Sequence, residues 1–234
     1  MKHSLIRTGL PAFLGICGLF ILASLPAKAQ YYYRIECEIS IKNKIPDGEG
    51  VLILGKAYYD KNISRMVYDI RFPEKEVWVV QDTTVTIHKN GETERIRGVA
   101  AYNQSTIFHK ILEGRLNNYG LEGTVYAIHE VERDGDLVIT TWAPTRESQA
   151  LGKIYTSTLD DELFGVVFQN PSGEVIGRQL FRNYTLIRGM KVPTEIVQVF
   201  YKDGAEEYQV FSLSNIKINN PGNENMYHYP AAGN

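Results

Sequence analysis

Beyond residue 34 apolar and polar positions fall into short runs rich in β-branched and aromatic side chains, some alternating at period two and some apolar throughout. Runs of this kind predict strands, in which successive side chains lie on opposite faces of an extended chain. They occur at Ile35 to Ile41, Val51 to Leu54, Met66 to Phe72, Val77 to Val80, Thr83 to His88, Thr124 to His129 and Leu137 to Trp142. Further runs follow at Lys153 to Thr158, Phe164 to Gln169, Val175 to Leu186, Val192 to Tyr201 and Tyr208 to Leu213. Turn chemistry separates them at Pro46-Asp47-Gly48, Lys89-Asn90-Gly91, Asp134-Gly135-Asp136, Pro171-Ser172-Gly173 and Lys202-Asp203-Gly204. Regular hairpin punctuation argues for consecutive antiparallel strands. No alternation of strands with helices appears, so a parallel α/β sheet is disfavoured.

One stretch departs from the alternation. Between Val99 and Leu116 the apolar residues Ile107, Phe108, Ile111 and Leu112 fall at i, i+1, i+4 and i+5, one stripe of a short helix. Asn103 suits an N-cap and Gly114 a stop, giving a helix over about 103–113. The mature fold is thus mainly β with a short helical lid. In Met66 to Phe72 one face carries Met66, Tyr68, Ile70 and Phe72, and the other carries Asp69 and Arg71. Trp78 and Val80 share a face of the next strand. A curved antiparallel sheet with one apolar face needs a cover, from a second sheet or from the helix. If one short helix is the cover, the apolar face exceeds it and leaves a groove or cavity. A core filled by its own side chains is the other outcome. The last stretch, 219–234, is rich in Asn, Gly and Pro and reads as a loose tail.

The amino-terminal pattern is of another kind. Lys2, His3 and Arg7 precede an uncharged apolar run from Leu10 to Leu25, followed by Pro26-Ala27-Lys28-Ala29. Small residues at 27 and 29 fit a signal-peptidase site, so residues 1–29 read as a leader cleaved after Ala29. The run is shorter than the ~20 residues that span a bilayer. Cys17 follows Ile16 in the middle of the run, where the small residue expected before a lipidated cysteine is missing. Cleavage leaves one cysteine, Cys37, so packing rather than a disulfide must hold the fold. The whole chain has a formal net charge of −2, and loss of Lys2, Arg7 and Lys28 makes the remainder more acidic. Without a basic patch, nucleic acid is a poor partner.

The order of elements resembles a known family. A strand ending in Gly55-Lys56-Ala57-Tyr58-Tyr59 precedes Arg65-Met66-Val67-Tyr68-Asp69-Ile70-Arg71-Phe72-Pro73. Trp78-Val79-Val80-Gln81-Asp82 then leads into Thr83 to His88, a helical insert, Leu137 to Pro144, Gly152-Lys153-Ile154 and a hairpin from Phe164 to Phe181. Over about residues 35–215 this is similar to the LolA/LolB-like periplasmic lipoprotein carriers. The resemblance implies a curved antiparallel sheet forming an unclosed (half) β-barrel over an apolar cavity that receives acyl chains. It implies a carrier domain over 30–218 in the periplasm, working as a monomer, with an inner-membrane release complex and an outer-membrane acceptor as partners. The carriers tend to have Arg-Pro where this chain has Asp60-Lys61-Asn62, and that Arg is tied to lid closure.

Candidate chemistry is sparse. His88, His109, His129 and His228 have no metal-ligand spacing, and His129-Glu130-Val131-Glu132-Arg133 lacks the second His of a zinc-peptidase motif. Asp160-Asp161-Glu162 lacks the alternating oxygens of a calcium loop. There is no Gly-x-Ser-x-Gly elbow, and Cys37 in a strand reads as an inert core thiol. No cofactor, metal or catalytic residue is assigned. The lipid-binding candidates are Met66, Tyr68, Ile70, Phe72, Trp78 and Val80 on the sheet, with Ile107, Phe108, Ile111 and Leu112 on the lid. Two other classes stay open: a non-catalytic interaction subunit of an envelope complex, with a filled core and an exposed patch, and an enzyme with close carboxylates in a polar cleft.

Overall fold

The computed structural model describes residues 31–44, 50–97, 104–146, 150–202 and 205–231. The leader expected over 1–29 and the N-cap expected at Asn103 lie outside the described residues. The chain divides into two units, Met1–Tyr31 and Tyr32–Asn234, and the fold is that of the second. In it run β1 (Arg34–Lys44), β2 (Val51–Asp60), β3 (Arg65–Phe72), β4 (Glu76–Gln81), β5 (Thr84–Lys89) and β6 (Glu92–Arg97). The helix α1 (Gln104–Leu112) follows, then β7 (Tyr126–Asp134), β8 (Leu137–Pro144), β9 (Ile154–Leu159) and β10 (Glu162–Gln169). Last come β11 (Val175–Ile187), β12 (Met190–Lys202), β13 (Ala205–Ile218) and α2 (Glu224–Tyr227).

The strands form one unclosed antiparallel sheet in the order β6-β5-β4-β3-β2-β1-β13-β12-β11-β10-β9-β8-β7. The first and last strands pair in its middle, with Ile41 opposite Phe211 and Lys44 opposite Tyr208. Both free edges therefore belong to strands that are neighbours in sequence, β6 and β7. The segment 98–125 has to pass from one edge to the other, and α1 lies within it.

Alternation sorts the two faces. Ile35, Cys37, Ile39 and Ile41 of β1 point inward with Tyr59 of β2, Met66, Tyr68 and Ile70 of β3, Ile196 of β12 and Phe211 of β13. Phe72 was expected on that face but is 48 % exposed. The cause is a bulge: Gly55 pairs with Ile70 and Leu54 with Phe72, so Arg71 is an extra residue and the phase of the strand flips after it. Strand β6 was not anticipated, because all six of its residues are exposed and it has no apolar alternation. It exists as the second arm of a hairpin whose turn residues Asn90 and Gly91 both have positive φ, +52° and +82°, as a type I′ turn requires.

The helix ends where expected. Gly114 has φ +67°, its N–H donates to Ile111 O, and Arg115 N–H donates to Lys110 O. These two bonds make a Schellman motif, in which glycine takes the left-handed position without a Cβ clash. The expectation of a loose tail fails from Asn219 to Ala231. Tyr227 is 1 % exposed, packed on Tyr58, Val67 and Val79 of the outer face, with Met226, Tyr229 and Ala231 beside it. Asn220 and Asn223 donate to Glu36 at 3.0 and 2.8 Å, and Arg34 reaches Asp60 at 2.7 Å and Glu224 at 2.5 Å. The composition of the tail hid four aromatic or apolar anchors, Met226, Tyr227, Tyr229 and Ala231, spaced to meet an outer patch that would otherwise face water.

Two stability measurements check this account. A Cβ at Gly55 would lie 2.4 Å from Asp69 O in the bulged ladder, so Gly55→Ala is expected to cost about 1–3 kcal/mol in chemical denaturation. Tyr227→Ala should cost about 3–5 kcal/mol by removing a buried aromatic. A change below about 0.5 kcal/mol would mean the tail contributes nothing to the fold.

Candidate functional site

The concave face of the sheet and the crossing segment enclose one apolar interior. Of the sequence candidates, Met66, Tyr68, Ile70, Ile107, Phe108, Ile111 and Leu112 are buried in a single cluster, and Trp78 and Val80 are half-buried against it. Phe72 is not part of it. The cluster extends well beyond those candidates. The loop after α1 adds Leu116, Tyr119 and Leu121, the middle strand β13 adds Leu213 and Ile218, and the far wing of the sheet adds Trp142, Ile154, Leu163, Val166, Phe181 and Val192. Most far-wing residues lie in runs read as strands, without a buried face having been assigned to them. The loop residues carry no periodicity to find them by.

Aromatic and polar contacts hold the lid down. The Phe108 ring lies 6.3 Å from that of Tyr59 and 6.4 Å from that of Phe211. Tyr119 packs against Phe168 and Phe181 with centroids 5.7 and 6.3 Å apart, and its hydroxyl donates to Gln179 Oε1 at 2.8 Å. His109 bridges lid and sheet: Nδ1 is 2.8 Å from the Tyr59 hydroxyl and Nε2 is 3.2 Å from Glu113. These partners place the ring proton on Nε2 and leave Nδ1 to accept from Tyr59. The lid is therefore latched by tyrosine and histidine, without the Arg-Pro element that the family resemblance would supply.

Lys110 locks helix to loop. Its Nζ sits 3.4 Å from the centroid of the Tyr119 ring, and a Cβ on Gly120 would lie 3.0 Å from Lys110 Cε. Burial, and then the nearby Arg115, lower the Lys110 pKa to about 8. Burial raises the Cys37 thiol well above its ordinary value, so it has no thiolate character at neutral pH.

Openings flank the lid. A cavity of about 250 Å³ lies at the carboxyl end of α1, lined by Ile111, Leu116, Leu163, Tyr184 and Met190, with Glu162 and Lys191 at its polar side. Another, of about 380 Å³, is lined by Tyr59, Asp82, His109, Lys110, Glu113 and Arg115. Ligand pockets commonly run from ~300 to 1,000 Å³, so the apolar opening is short of a bound lipid and the interior is closed. Among the described residues no group of three or more His, Cys, Asp and Glu is arranged for a metal, and no helix is long and apolar enough to cross a membrane.

No protein-family model and no curated protein matches the chain. Solved structures do. A LolA superfamily protein from Nitrosomonas europaea superposes with a TM-score of 0.56 at 15% identity, over 83% of this chain and 90% of that one. A domain assigned to outer membrane lipoprotein sorting from Vibrio parahaemolyticus gives 0.58 at 10% identity, over 84% and 89%. A DUF1329 family protein from Desulfovibrio piger gives 0.59 at 12% identity, over 86% and 91%. At such identities the likeness is one of fold, and at that level the LolA-type resemblance read from the sequence holds.

The Lys110 environment yields a pH test. Its folded pKa lies below its ordinary value of 10.5, so above about pH 8 the folded chain holds fewer protons here than the unfolded chain. Stability from this group therefore rises between about pH 8 and 10.5. Cys37 and the buried tyrosines, whose folded pKa values are raised, act oppositely from about pH 9 upward. The readout is thus the difference between variants: the stability advantage of Lys110→Met over the native chain should shrink from pH 8 to 10.5. A constant difference would show that Lys110 stays solvated.

Proposed function

We propose that this chain is an exported carrier of the bacterial periplasm that takes the acyl chains of a lipoprotein, or of another lipid, between its helical lid and the concave sheet. The observation that carries the reading is the single apolar cluster shared by lid and floor, held shut by a small set of polar latches. Moving a CH₂ out of water contributes ~0.8 kcal/mol, so a 16-carbon chain brings on the order of 10 kcal/mol without any polar partner. That is enough to displace a nine-residue helix whose own stability comes mostly from packing. The superposed LolA superfamily protein and lipoprotein-sorting domain support the reading. In it the leader directs export, an inner-membrane complex loads the chain, an outer-membrane acceptor unloads it, and no catalytic step is assigned.

A second reading has its own observation. Strand β7 is a free edge exposed along nearly its whole length, with Ile128 59 % and Val131 56 % exposed. An interaction subunit that pairs a partner strand on β7 would need neither cavity nor lid motion.

Native mass spectrometry of the protein purified from its own periplasm separates the two. A co-purifying acylated protein or free lipid is expected, and the chain should begin at Gln30. Tyr119→Phe removes the hydroxyl bonded to Gln179, weakening the closed lid by about 1–3 kcal/mol and speeding uptake of a fluorescent fatty acid several-fold. A lipid-free mass, together with no fatty-acid uptake by either form, would sink carriage and favour the β7 reading.

A further inference from the structure

The concave face is not uniformly apolar. One register row crosses it as Ile41, Phe211, Ile196 and Phe181, each directly opposite the next on strands β1, β13, β12 and β11. Two residues further along the strands, ~7 Å away, the same four strands carry Asn43, Gln209, Gln198 and Gln179, again directly opposite one another. Four side-chain amides in register on an inward face form a polar band beside the apolar row.

The hydrogen bonds of the band are uneven. Gln209 Nε2 donates to Asn43 Oδ1 at 2.9 Å, and Gln179 Oε1 accepts from the lid's Tyr119 hydroxyl at 2.8 Å. Gln198 stands between them, 1 % exposed, and its Oε1 has no hydrogen-bond partner among the described residues. A buried acceptor without a donor is costly and uncommon in folded proteins. Lifting the lid withdraws Tyr119 and frees Gln179 Oε1 as well. The open floor then presents two adjacent carbonyl oxygens, both asking for a donor, one step from a row suited to hydrocarbon.

We propose that this amide band reads the junction between acyl chain and headgroup, and that the cargo is an acyl lipid bearing a hydrogen-bond donor, an amide N–H or a hydroxyl, next to its chain. This rests on the carrier reading above and narrows it: the hydrocarbon lies over Phe211, Ile196 and Phe181, and the donor meets Gln198 and Gln179. A lipid with only ester carbonyls at the junction leaves both acceptors unpaired and binds less well.

The test compares three lipids of one chain length as displacers of anthroyloxy-labelled palmitate from the mature protein: N-methylpalmitamide, 1-palmitoylglycerol and methyl palmitate. The amide, the glyceride or both should displace the label at about tenfold lower concentration than the methyl ester. Preference for the amide alone assigns an N-acyl donor, and for the glyceride alone a hydroxyl. In Gln198→Met the advantage should shrink while the label still binds. Equal potency of all three on a native protein that binds the label overturns the donor assignment and leaves carriage standing. No binding of the label or of any of the three lipids overturns carriage, and this assignment with it.

Discussion

The contact between lid and floor is the interaction on which the rest of this fold depends. The sheet is open, with its first and last strands paired in the middle and its free edges on β6 and β7. Those edges are consecutive in the chain, so the segment joining them has to cross the sheet. A nine-residue helix is marginal in water, and an apolar concave sheet is insoluble when bare. Each exists because the other buries it. Ile107, Phe108, Ile111 and Leu112 are ordered by the floor, and Tyr59, Phe211 and Phe181 are kept from water by the lid.

What was legible in the sequence follows from which forces act locally. Alternation reported the strands, because burial on one face writes itself at period two, and Gly114 reported the end of the helix, because a left-handed turn demands a residue without a Cβ. Phe72 was misplaced because a bulge is set by pairing across strands: Gly55, which a neighbouring backbone approaches closely, gave no sign of it in the run Met66 to Phe72. Strand β6 was invisible for a related reason, since its ladder is held by β5 and a turn rather than by any buried side chain. The tail was read from composition, and composition cannot show that Tyr227 meets Tyr58, Val67 and Val79 on a distant face. Of the candidate residues, all but Phe72 lie in or against the shared interior. The far wing and the loop from Leu116 to Leu121 complete the interior only in three dimensions.

Burial is distributed unequally across the sheet. The lid covers the inner face, and the tail covers the outer face over Tyr58 of β2, Val67 of β3 and Val79 of β4. Arg34 ties the outer layer together: it pairs with Asp60 and Glu224, and its guanidinium lies 4.3 Å from the centroid of the Tyr227 ring. Its hydrogen bond to Glu224, helped by Asp60, raises its pKa further, so the Arg34 guanidinium stays charged at any accessible pH. The wings differ, β6 and β7 being exposed on both faces.

On the carrier reading, an apolar interior closed by such a crossing would select for hydrocarbon but not for any particular molecule, because the energy per CH₂ is the same in every acyl chain. Burial alone also gives no orientation: a chain can slide along a smooth groove. Polar groups at a fixed depth supply both, since misplacing the ligand leaves them unpaired in a medium where that is expensive. The register of the sheet provides such a depth here. Asn43, Gln209, Gln198 and Gln179 sit at one level because antiparallel pairing places them opposite each other, and Tyr119 occupies part of that level only while the lid is down. On the carrier reading, the hydroxyl of the lid and the donor of a ligand would compete for the same oxygen, which would couple the state of the lid to what lies on the floor.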